Sequence, residues 1–456
     1  MSLLFRPHRR GPAPRATVQA ETHTQADSPA DAHAQADAQA PAARAVRPAA
    51  RGLAVLTALT ALTALTALGP GAAPAQAAPS DCPKGYFCAW KTDHATGEML
   101  KLTKSAPTLG AWDGRINAVS NRTTQWVCGY DEPGYRTSYW SVGAQAPDPA
   151  GTEWGYIGKS VSSLKFVPTE RECYGPAYPT WEAEPNPAGR SPFANLNGDD
   201  EADLLARDEV GRLWFLPGDG TGKLIGGGWN AMNALTRHGD FTGDGKEDVI
   251  AREASTGKLW LYPGTGTASG TLGARRLIGT GGWNALTRIT ALGDLTGDNR
   301  ADLLAVEKST GKLWLYPGTG TASGTFGARR LIGTGGWTSM DALTAPGDVT
   351  GDGKADLLAR HPATGKLYLY PGKPGALGSR VLLGGGWNAM ARLVGVGDSG
   401  LDGVNDFIAL SNSAFRSTDC SYSGCLMVYL GKGNGTFHPG YWDGRDRTWN
   451  DMDTVF

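Results

Sequence analysis

The chain has 456 residues, of which 65 are glycine and 15 are tryptophan, and only 19% carry a charge. This composition favours many tight turns and aromatic packing, and it excludes a helical bundle or a disordered tail. The net charge is −1 and no basic stripe is present, so we do not expect a nucleic-acid partner.

The chain begins with a leader that has the parts of a secretory signal. Arg44, Arg47 and Arg51 precede the apolar run LAVLTALTALTALTAL at 53–68, which is followed by Ala75-Gln76-Ala77. A basic flank, an apolar core and a small-residue exit predict a signal peptide within residues 1–77 and a secreted product. A membrane anchor is the alternative, although the run is short for a span of about 20 residues. We expect no membrane span in the mature chain.

Six cysteines follow the predicted signal, and an even number in an exported chain indicates disulfides. The sequence contains no zinc-type C-x-x-C pair. We predict the bridges Cys82–Cys88, Cys128–Cys173 and Cys420–Cys425.

Residues 78–174 form the first predicted domain. DCPKGYFCAWKTDHATGEMLKL and WVCGYDEPGYRTSYWSV read as two related halves, each with a cysteine-bearing aromatic strand, a polar turn and a second strand. The domain resembles the secreted peptidase inhibitor family with a βγ-crystallin-type double Greek key, most specifically in CPKGYFCAW. The resemblance implies inhibition of a secreted peptidase.

Crystallin-like domains also bind calcium through an [DN]-[DN]-x-x-S-S stretch. The corresponding segments here, Arg115–Ser120 and Gly158–Ser163, lack the leading acids, so we expect no metal in this domain. The irregular stretch Gly143–Gly155 is a candidate inhibitory loop or a plain connection. A Pro-rich linker is predicted at 175–190.

An internal repeat dominates residues 191–456. Residues 256–283 recur at 310–337 with one change, Leu272 to Phe326, and weaker copies surround them. An acidic loop belongs to each copy, beginning at Asn195, Asp240, Asp294, Asp348 and Asp398, with spacings of 45, 54, 54 and 50 residues.

Each copy reads as four short strands separated by Thr-Gly, Pro-Gly or Gly-Gly breaks, which is the size of one propeller blade. The first copy lacks its leading strand, and WNDMDTVF at 449–456 matches WNAMNALT without an acidic loop after it. We therefore predict an all-β chain whose second half is a β-propeller of five four-stranded blades, closed by the C-terminal strand. An open array or part of a larger ring are the alternatives.

The acidic loops place oxygen-bearing side chains at positions 1, 3, 5 and 9, and position 7 can add a backbone carbonyl. Calcium prefers six to eight such oxygens in a flexible arrangement, so we predict Ca²⁺ sites. Plain Asx turns between strands are the alternative. The predicted ligand positions are Asn195, Asn197, Asp199 and Asp203; Asp240, Thr242, Asp244, Lys246 and Asp248; Asp294, Thr296, Asp298, Arg300 and Asp302; Asp348, Thr350, Asp352, Lys354 and Asp356; and Asp398, Asp402 and Asp406.

Two of these loops depart from the pattern. Asn195 replaces the carboxylate at position 1 of the first loop, and Gly400 leaves position 3 of the last loop without a side-chain ligand. We expect the loop at Asp398 to bind more weakly.

The D-x-[TN]-G-D-G-x-x-D-[LVF]-[LI]-A pattern resembles the FG-GAP/VCBS repeats of the integrin α-subunit β-propeller. The resemblance implies loops that hold structural calcium and a domain that serves adhesion or ligand recognition. Integrin heads have seven blades, however, and five are predicted here.

Tryptophans recur at equivalent places of the repeats, directly after a glycine in four of five cases, and a second set of aromatics accompanies them. Packing between blades is the first interpretation, and shallow sugar pockets are the alternative. The two sets are Trp229, Trp283, Trp337, Trp387 and Trp449, and Trp214, Trp260, Trp314 and Tyr368.

We find no G-x-S-x-G, H-E-x-x-H or Cys/His constellation, so we expect no enzyme. Three hypotheses remain: a peptidase inhibitor, a lectin or adhesin that binds a glycan or cell-surface ligand, and a purely structural envelope protein.

Overall fold

The computed structural model describes residues 78–146, 155–157, 160–184, 193–199, 201–418, 420 and 423–456. The predicted signal peptide at 1–77 lies outside them, as do 147–154 of the candidate inhibitory loop. Within the described ranges, regular structure consists of β-strands and short 3₁₀ turns, so the all-β prediction is confirmed.

The N-terminal domain contains two antiparallel sheets. One has the order β2-β1-β3-β6 and the other β5-β4-β7. Between them lies a core that includes Phe87, Trp112, Val119 and Leu164. The strands are β1 Phe87–Trp90, β2 Met99–Leu102, β3 Ala118–Asn121, β4 Trp126–Glu132, β5 Arg136–Val142, β6 Gly155–Tyr156 and β7 Ser163–Val167, with 3₁₀ turns at Pro79–Asp81, Gly110–Trp112 and Glu170–Cys173.

The repeat region of the described chain contains five four-stranded antiparallel sheets, in a propeller-like series. Four of them follow the chain order within one repeat. Their strands are β11 Met232–Thr236, β12 Val249–Glu253, β13 Leu259–Tyr262 and β14 Arg276–Gly279; β15 Leu286–Gly293, β16 Asp302–Glu307, β17 Leu313–Tyr316 and β18 Arg330–Gly333; β19 Ala342–Gly347, β20 Asp356–His361, β21 Lys366–Tyr370 and β24 Val381–Gly384; and β25 Met390–Gly397, β26 Asp406–Ser411, β27 Cys425–Tyr429 and β28 Tyr441–Arg445. A small hairpin of β22 Gly372–Lys373 and β23 Ala376–Leu377 is inserted in the fourth repeat.

The remaining sheet joins both ends of the array. It has the order β10-β9-β8-β29, where β8 is Leu204–Asp208, β9 Leu213–Leu216, β10 Lys223–Gly226 and β29 Met452–Val455. Strand β29 pairs antiparallel with β8, so the C-terminal segment supplies the strand that the first repeat lacks. This pairing leaves no open edge on that side of β8.

Four of the sheets are preceded by a short 3₁₀ turn after a left-handed glycine, as at Gly228 with φ 84°, whereas the turn before β29 follows Asp446 in an extended conformation. The tryptophan of the turn packs on a tyrosine of the third strand; Trp229 and Tyr262, for example, have ring centroids 4.7 Å apart. Trp229 also lies in a core that draws side chains from two neighbouring sheets, including Phe215 and Ala251. The packing interpretation of these tryptophans is therefore confirmed. The 3₁₀ turns are Trp229–Ala231, Trp283–Ala285, Trp337–Ser339, Trp387–Ala389 and, before β29, Arg447–Asp451.

All three predicted disulfides are present. Cys82 bonds Cys88, Cys128 bonds Cys173, and Cys420 bonds Cys425. The second bridge ties β4 to the 3₁₀ turn that ends the N-terminal domain.

Part of the Pro-rich segment is built into the repeat region. Trp181 is 2% exposed and lies in a core between the first and last sheets, with Val428 and Trp449 among its neighbours. Its indole Nε1 donates to the Ala202 carbonyl at 2.6 Å. The segment therefore packs across the seam where the array closes.

Within the described residues, no helix has both the length and the apolar character needed to cross a membrane.

Candidate functional site

The carboxylate at position 1 organises each of the three regular loops. Asp240 Oδ1 accepts from the backbone amides of Gly243 at 2.6 Å and Asp244 at 3.2 Å, and Oδ2 accepts from Gly245 at 2.7 Å. Asp294 and Asp348 receive the corresponding bonds. The chain thus folds around the first carboxylate, and the left-handed residue at position 6 completes the turn.

The carboxylate at position 9 is buried and anchors the loop to the sheet. Asp248 Oδ2 accepts from the amides of Phe241 and Thr242 at 2.9 and 3.0 Å, and Oδ1 accepts from Gly264 at 3.0 Å. Asp302 and Asp356 make equivalent contacts, and Asp406 does so with the Ser399 hydroxyl in place of one amide. Position 9 therefore links the acidic loop to the loop after the third strand.

The carboxylate at position 5 is solvent-exposed in the regular loops and makes one backbone contact. Asp244 accepts from the Lys246 amide at 3.1 Å, and Asp298 accepts from Arg300 at 3.1 Å. Position 3 is a threonine whose hydroxyl lies near the first carboxylate, as Thr242 lies 3.3 Å from Asp240.

The two irregular loops keep part of this geometry. In the first, Asn195 accepts from Gly198 at 2.7 Å, and the Asn197 side-chain amide donates to Asp199. In the last, Asp398 accepts from the amides of Asp402 and Gly403 at 3.0 and 2.9 Å.

Burial raises the pKa of the position-9 carboxyls. The pKa of Asp248 and Asp406 is raised to about 6, and that of Asp203 to about 8 although Arg237 acts to lower it. The pKa of Asp302 and Asp356 is raised as well, again chiefly by burial. Each loop therefore contains a carboxyl group whose ionised form is less favourable in the folded chain than in water.

The donor set of the regular loops consists of hard oxygens, which calcium prefers. Asp240 and Asp248 each accept three backbone amides, and a carboxylate offers about four acceptor sites, so each retains capacity for a cation. The described residues contain no group of three or more His, Cys, Asp or Glu side chains placed to hold a metal. Thr242 and the Lys246 carbonyl would have to complete the ligand set.

Neighbouring repeats interlock at these loops, because the residue before each loop lies against a neighbouring repeat. A Cβ on Gly239 would meet Ala301 Cβ at 2.3 Å, so this position has no room for a side chain. Between the first and second repeats, the Ala194 amide donates to the Glu247 carboxylate instead. The other close approaches are Gly293 to Ala355, Gly347 to Asn405 and Gly397 to Phe193.

The first four loops meet around a cavity of about 630 Å³, which we call the axial cavity. Gly198, Asp240, Asp294 and Gly353 place one residue from each of these loops in its wall. Four of the five predicted sites are therefore parts of one surface, and the loop at Asp398 is not among them.

A buried charged cluster in the second repeat was not found from the sequence. Arg237 is fully buried; it donates to Glu247 Oε2 at 2.6 Å and to the Asp203 carbonyl. His238 Nδ1 lies 3.3 Å from Glu247 Oε1, and its ring stacks on Phe193 with centroids 4.3 Å apart. Burial lowers the pKa of His238, and Arg237 helps to keep the pKa of Glu247 below its usual value.

The signal for this cluster is a departure from the repeat. The third and fourth repeats have Ala291-Leu292 and Ala345-Pro346 where the second has Arg237-His238. A comparison of the copies for single-copy charged residues would have found it.

Comparison with known families agrees with both halves of the chain. Residues 240–305 and 294–359 match the model of the FG-GAP-like repeat. Residues 240–359 therefore contain FG-GAP-like repeats. Before them, residues 75–142 match the model of peptidase inhibitor family I36. No curated protein matches the chain.

Three solved structures share a low similarity with this chain. A lectin from Agrocybe aegerita that recognises non-reducing terminal N-acetylglucosamine has 17% identity and a TM-score of 0.36, over 75% of this chain and 98% of that one. Regucalcin, a calcium-binding protein from Agrobacterium tumefaciens, has 12% identity and a TM-score of 0.28, over 54% and 86%. The Dos1 propeller has 10% identity and a TM-score of 0.28, over 59% and 75%.

Proposed function

We propose that this chain is a secreted, non-catalytic binding protein. In this proposal a calcium-stabilised β-propeller of five blades is joined to a peptidase-inhibitor domain of βγ-crystallin type. The propeller presents a binding surface to a glycan or cell-surface ligand, and the N-terminal domain meets a secreted peptidase.

The observation that carries the calcium proposal is the shared geometry of the three regular loops. In each, oxygens at positions 1, 3, 5 and 9 belong to one tight turn, and the position-9 carboxylate is buried with a raised pKa. A cation held by the same turn would offset this unfavourable burial of negative charge. When bound, calcium would act as a structural cross-link between the turn and the following strand.

Isothermal titration of the purified mature chain with Ca²⁺ tests this proposal. Asp244→Ala removes a position-5 carboxylate that makes a single backbone contact, so we expect the loss of one calcium equivalent with little loss of structure. Asp219→Ala is the matched control, because Asp219 accepts from the Thr221 amide at 2.8 Å in a similar two-residue turn outside the acidic loops. Equal calcium uptake by both variants and the parent chain would contradict the proposed site.

The inhibitor proposal follows from the family match and has its own test. The full mature chain is assayed against a panel of secreted metallo- and serine peptidases, since Arg212 bonds both Glu172 and Asp208 and so ties the two domains together. We expect one peptidase to be slowed in proportion to the chain added. No slowing across the panel would leave the N-terminal domain as a structural module.

A further inference from the structure

The axial cavity keeps several polar side chains that the calcium proposal does not use. Lys246 and Arg300 are predicted to offer their backbone carbonyls to the loops, and both side chains line the cavity, where Arg300 Nη1 lies 3.9 Å from Asp298 Oδ2. His238, Glu247 and Asn299 also belong to the wall and are not predicted ligands. A volume of about 630 Å³ suits a small ligand, since such pockets span roughly 300–1,000 Å³.

At two positions of the cavity wall, a polar residue replaces the apolar residue or glycine found in the other repeats. His238 is 7% exposed and stands where the other repeats have Leu292, Pro346 and Val396. The apolar residues show that the fold needs no imidazole there, and burying a polar group costs stability. His238 combines its contact with Glu247 in the buried charged cluster with a place in the cavity wall.

Asn299 is the second such position. It has φ 61°, a left-handed backbone in which Gly245 and Gly353 stand at the same place of the other regular loops. Glycine adopts this conformation without strain, whereas asparagine adds an amide that lines the cavity. At this position too, a hydrogen-bonding residue replaces the residue that the backbone accommodates most easily.

The chemistry of the wall indicates the class of ligand. Phe193 and His238 stack at 14° between their planes and form one aromatic wall element. Carboxylates and cations both line the cavity, so neither sign dominates, and seven glycines bring backbone close to any occupant. An aromatic surface beside mixed donors and acceptors fits a polyhydroxylated ligand better than an anion or an apolar molecule.

We propose that the axial cavity binds a short saccharide against the Phe193–His238 pair, with Asn299, Lys246 and Arg300 as hydrogen-bonding groups. This inference rests on the proposed binding function and assigns it a location. It places the sugar at the meeting point of the acidic loops, away from the tryptophans that pack between the sheets.

The test titrates the full mature chain with chitotriose, cellotriose, maltotriose and mannotriose in calcium-containing buffer. We expect one of them to bind, and His238→Leu and Asn299→Gly each to weaken it by about tenfold or more. Both substitutions install residues of sister repeats, Leu292 and Gly245, so both variants are expected to fold. Leu277→Ser is the control, because Leu277 is 43% exposed on β14 and is absent from the cavity wall.

Calcium uptake is measured on the same variants, which separates the two proposals. Loss of saccharide binding with unchanged calcium uptake supports the axial site. Binding to none of the four sugars, unchanged binding by both variants, or loss of binding only together with calcium would overturn it. A chain that takes up no calcium yet binds sugar through His238 and Asn299 would refute the calcium proposal alone.

Discussion

Arg237 and Glu247 form an ion pair in a part of the fold where the sister repeats use alanine. Ala291 and Ala301 occupy the equivalent positions of the third repeat. The pair lies at the seam between the first two repeats, where Arg237 also bonds the Asp203 carbonyl. A buried ion pair of this kind stabilises the fold little more than well-packed apolar residues would. Removing one partner is nevertheless costly, because the other charge is left buried without a partner.

We therefore expect Arg237→Ala to lower the free energy of unfolding by about 3–5 kcal/mol. The double variant Arg237→Ala/Glu247→Ala should lose less than the sum of the two single variants, since it leaves no lone charge. Urea unfolding of the parent chain, both single variants and the double variant measures this. Strictly additive losses would show that the two charges do not depend on each other.

Burial of Asp203, between the same two repeats, makes the stability of the folded chain depend on pH. Burial raises its pKa from 3.8 to about 8, so the folded chain favours the neutral carboxyl. The resulting stabilisation is complete below pH 3.8 and is lost as the pH rises through about 8. In excess EDTA, the parent chain should therefore lose more stability between pH 6 and pH 9 than Asp203→Asn does. If urea unfolding gave the parent chain and Asp203→Asn the same change of stability with pH, Asp203 would not be the cause.

At the scale of the loop, the nine-residue turn has two carboxylates with different tasks. The carboxylate at position 1 accepts hydrogen bonds from backbone amides of the turn itself. The carboxylate at position 9 also accepts one from the loop after the third strand and so anchors the turn to the sheet. Asp302 is buried and accepts three amides, whereas Asp298 is exposed and accepts one. When a buried acceptor is removed, each backbone amide left without a hydrogen-bond partner costs about 1–3 kcal/mol of stability. When an exposed acceptor is removed, water takes its place.

Asp302→Ala should accordingly destabilise the calcium-free chain by several kcal/mol, and Asp298→Ala by less than about 1 kcal/mol. Thermal unfolding in EDTA, followed by circular dichroism, compares the two. Similar losses would mean that position 9 does not anchor the loop.

The segment around Trp181 acts at the level of a whole element. It was predicted from its prolines as a linker, yet Trp181 is buried between the first and last sheets. Trp181→Ala should cost about 3–5 kcal/mol, as large-to-small changes of buried tryptophan do. A chain of residues 175–456 should also melt higher than one of residues 191–456. Equal melting temperatures would show that the segment adds nothing to the closure.

Much of the fold could be predicted because it repeats. Gly, Pro and Asp recur at fixed spacing, and this spacing defined the strands, the acidic loops and the role of residues 449–456. The presence of disulfides followed from the even cysteine count and the predicted compartment, and the Cys420–Cys425 bridge followed from its short spacing. Single-copy features were missed: Arg237, His238 and Glu247 are unlike their counterparts, and Trp181 lies in a segment without periodicity. The axial cavity was missed because it arises from long-range contacts between loops.

Considered as a whole, the array is closed by the β29–β8 pairing and the Trp181 segment, and the Arg237–Glu247 pair joins the first two repeats. The acidic loops of the first four repeats meet at the axial cavity, so a cation in one loop would stiffen a surface shared with its neighbours. Ligand bound only by the folded state raises the stability of the whole array.

The most direct test of the calcium proposal is differential scanning calorimetry of the full mature chain at neutral pH, with millimolar Ca²⁺ and with excess EDTA. We predict a clearly higher melting temperature with calcium, and its loss on stepwise replacement of Asp240, Asp294 and Asp348. Identical melting curves in the two buffers would contradict the proposal that these loops hold structural calcium.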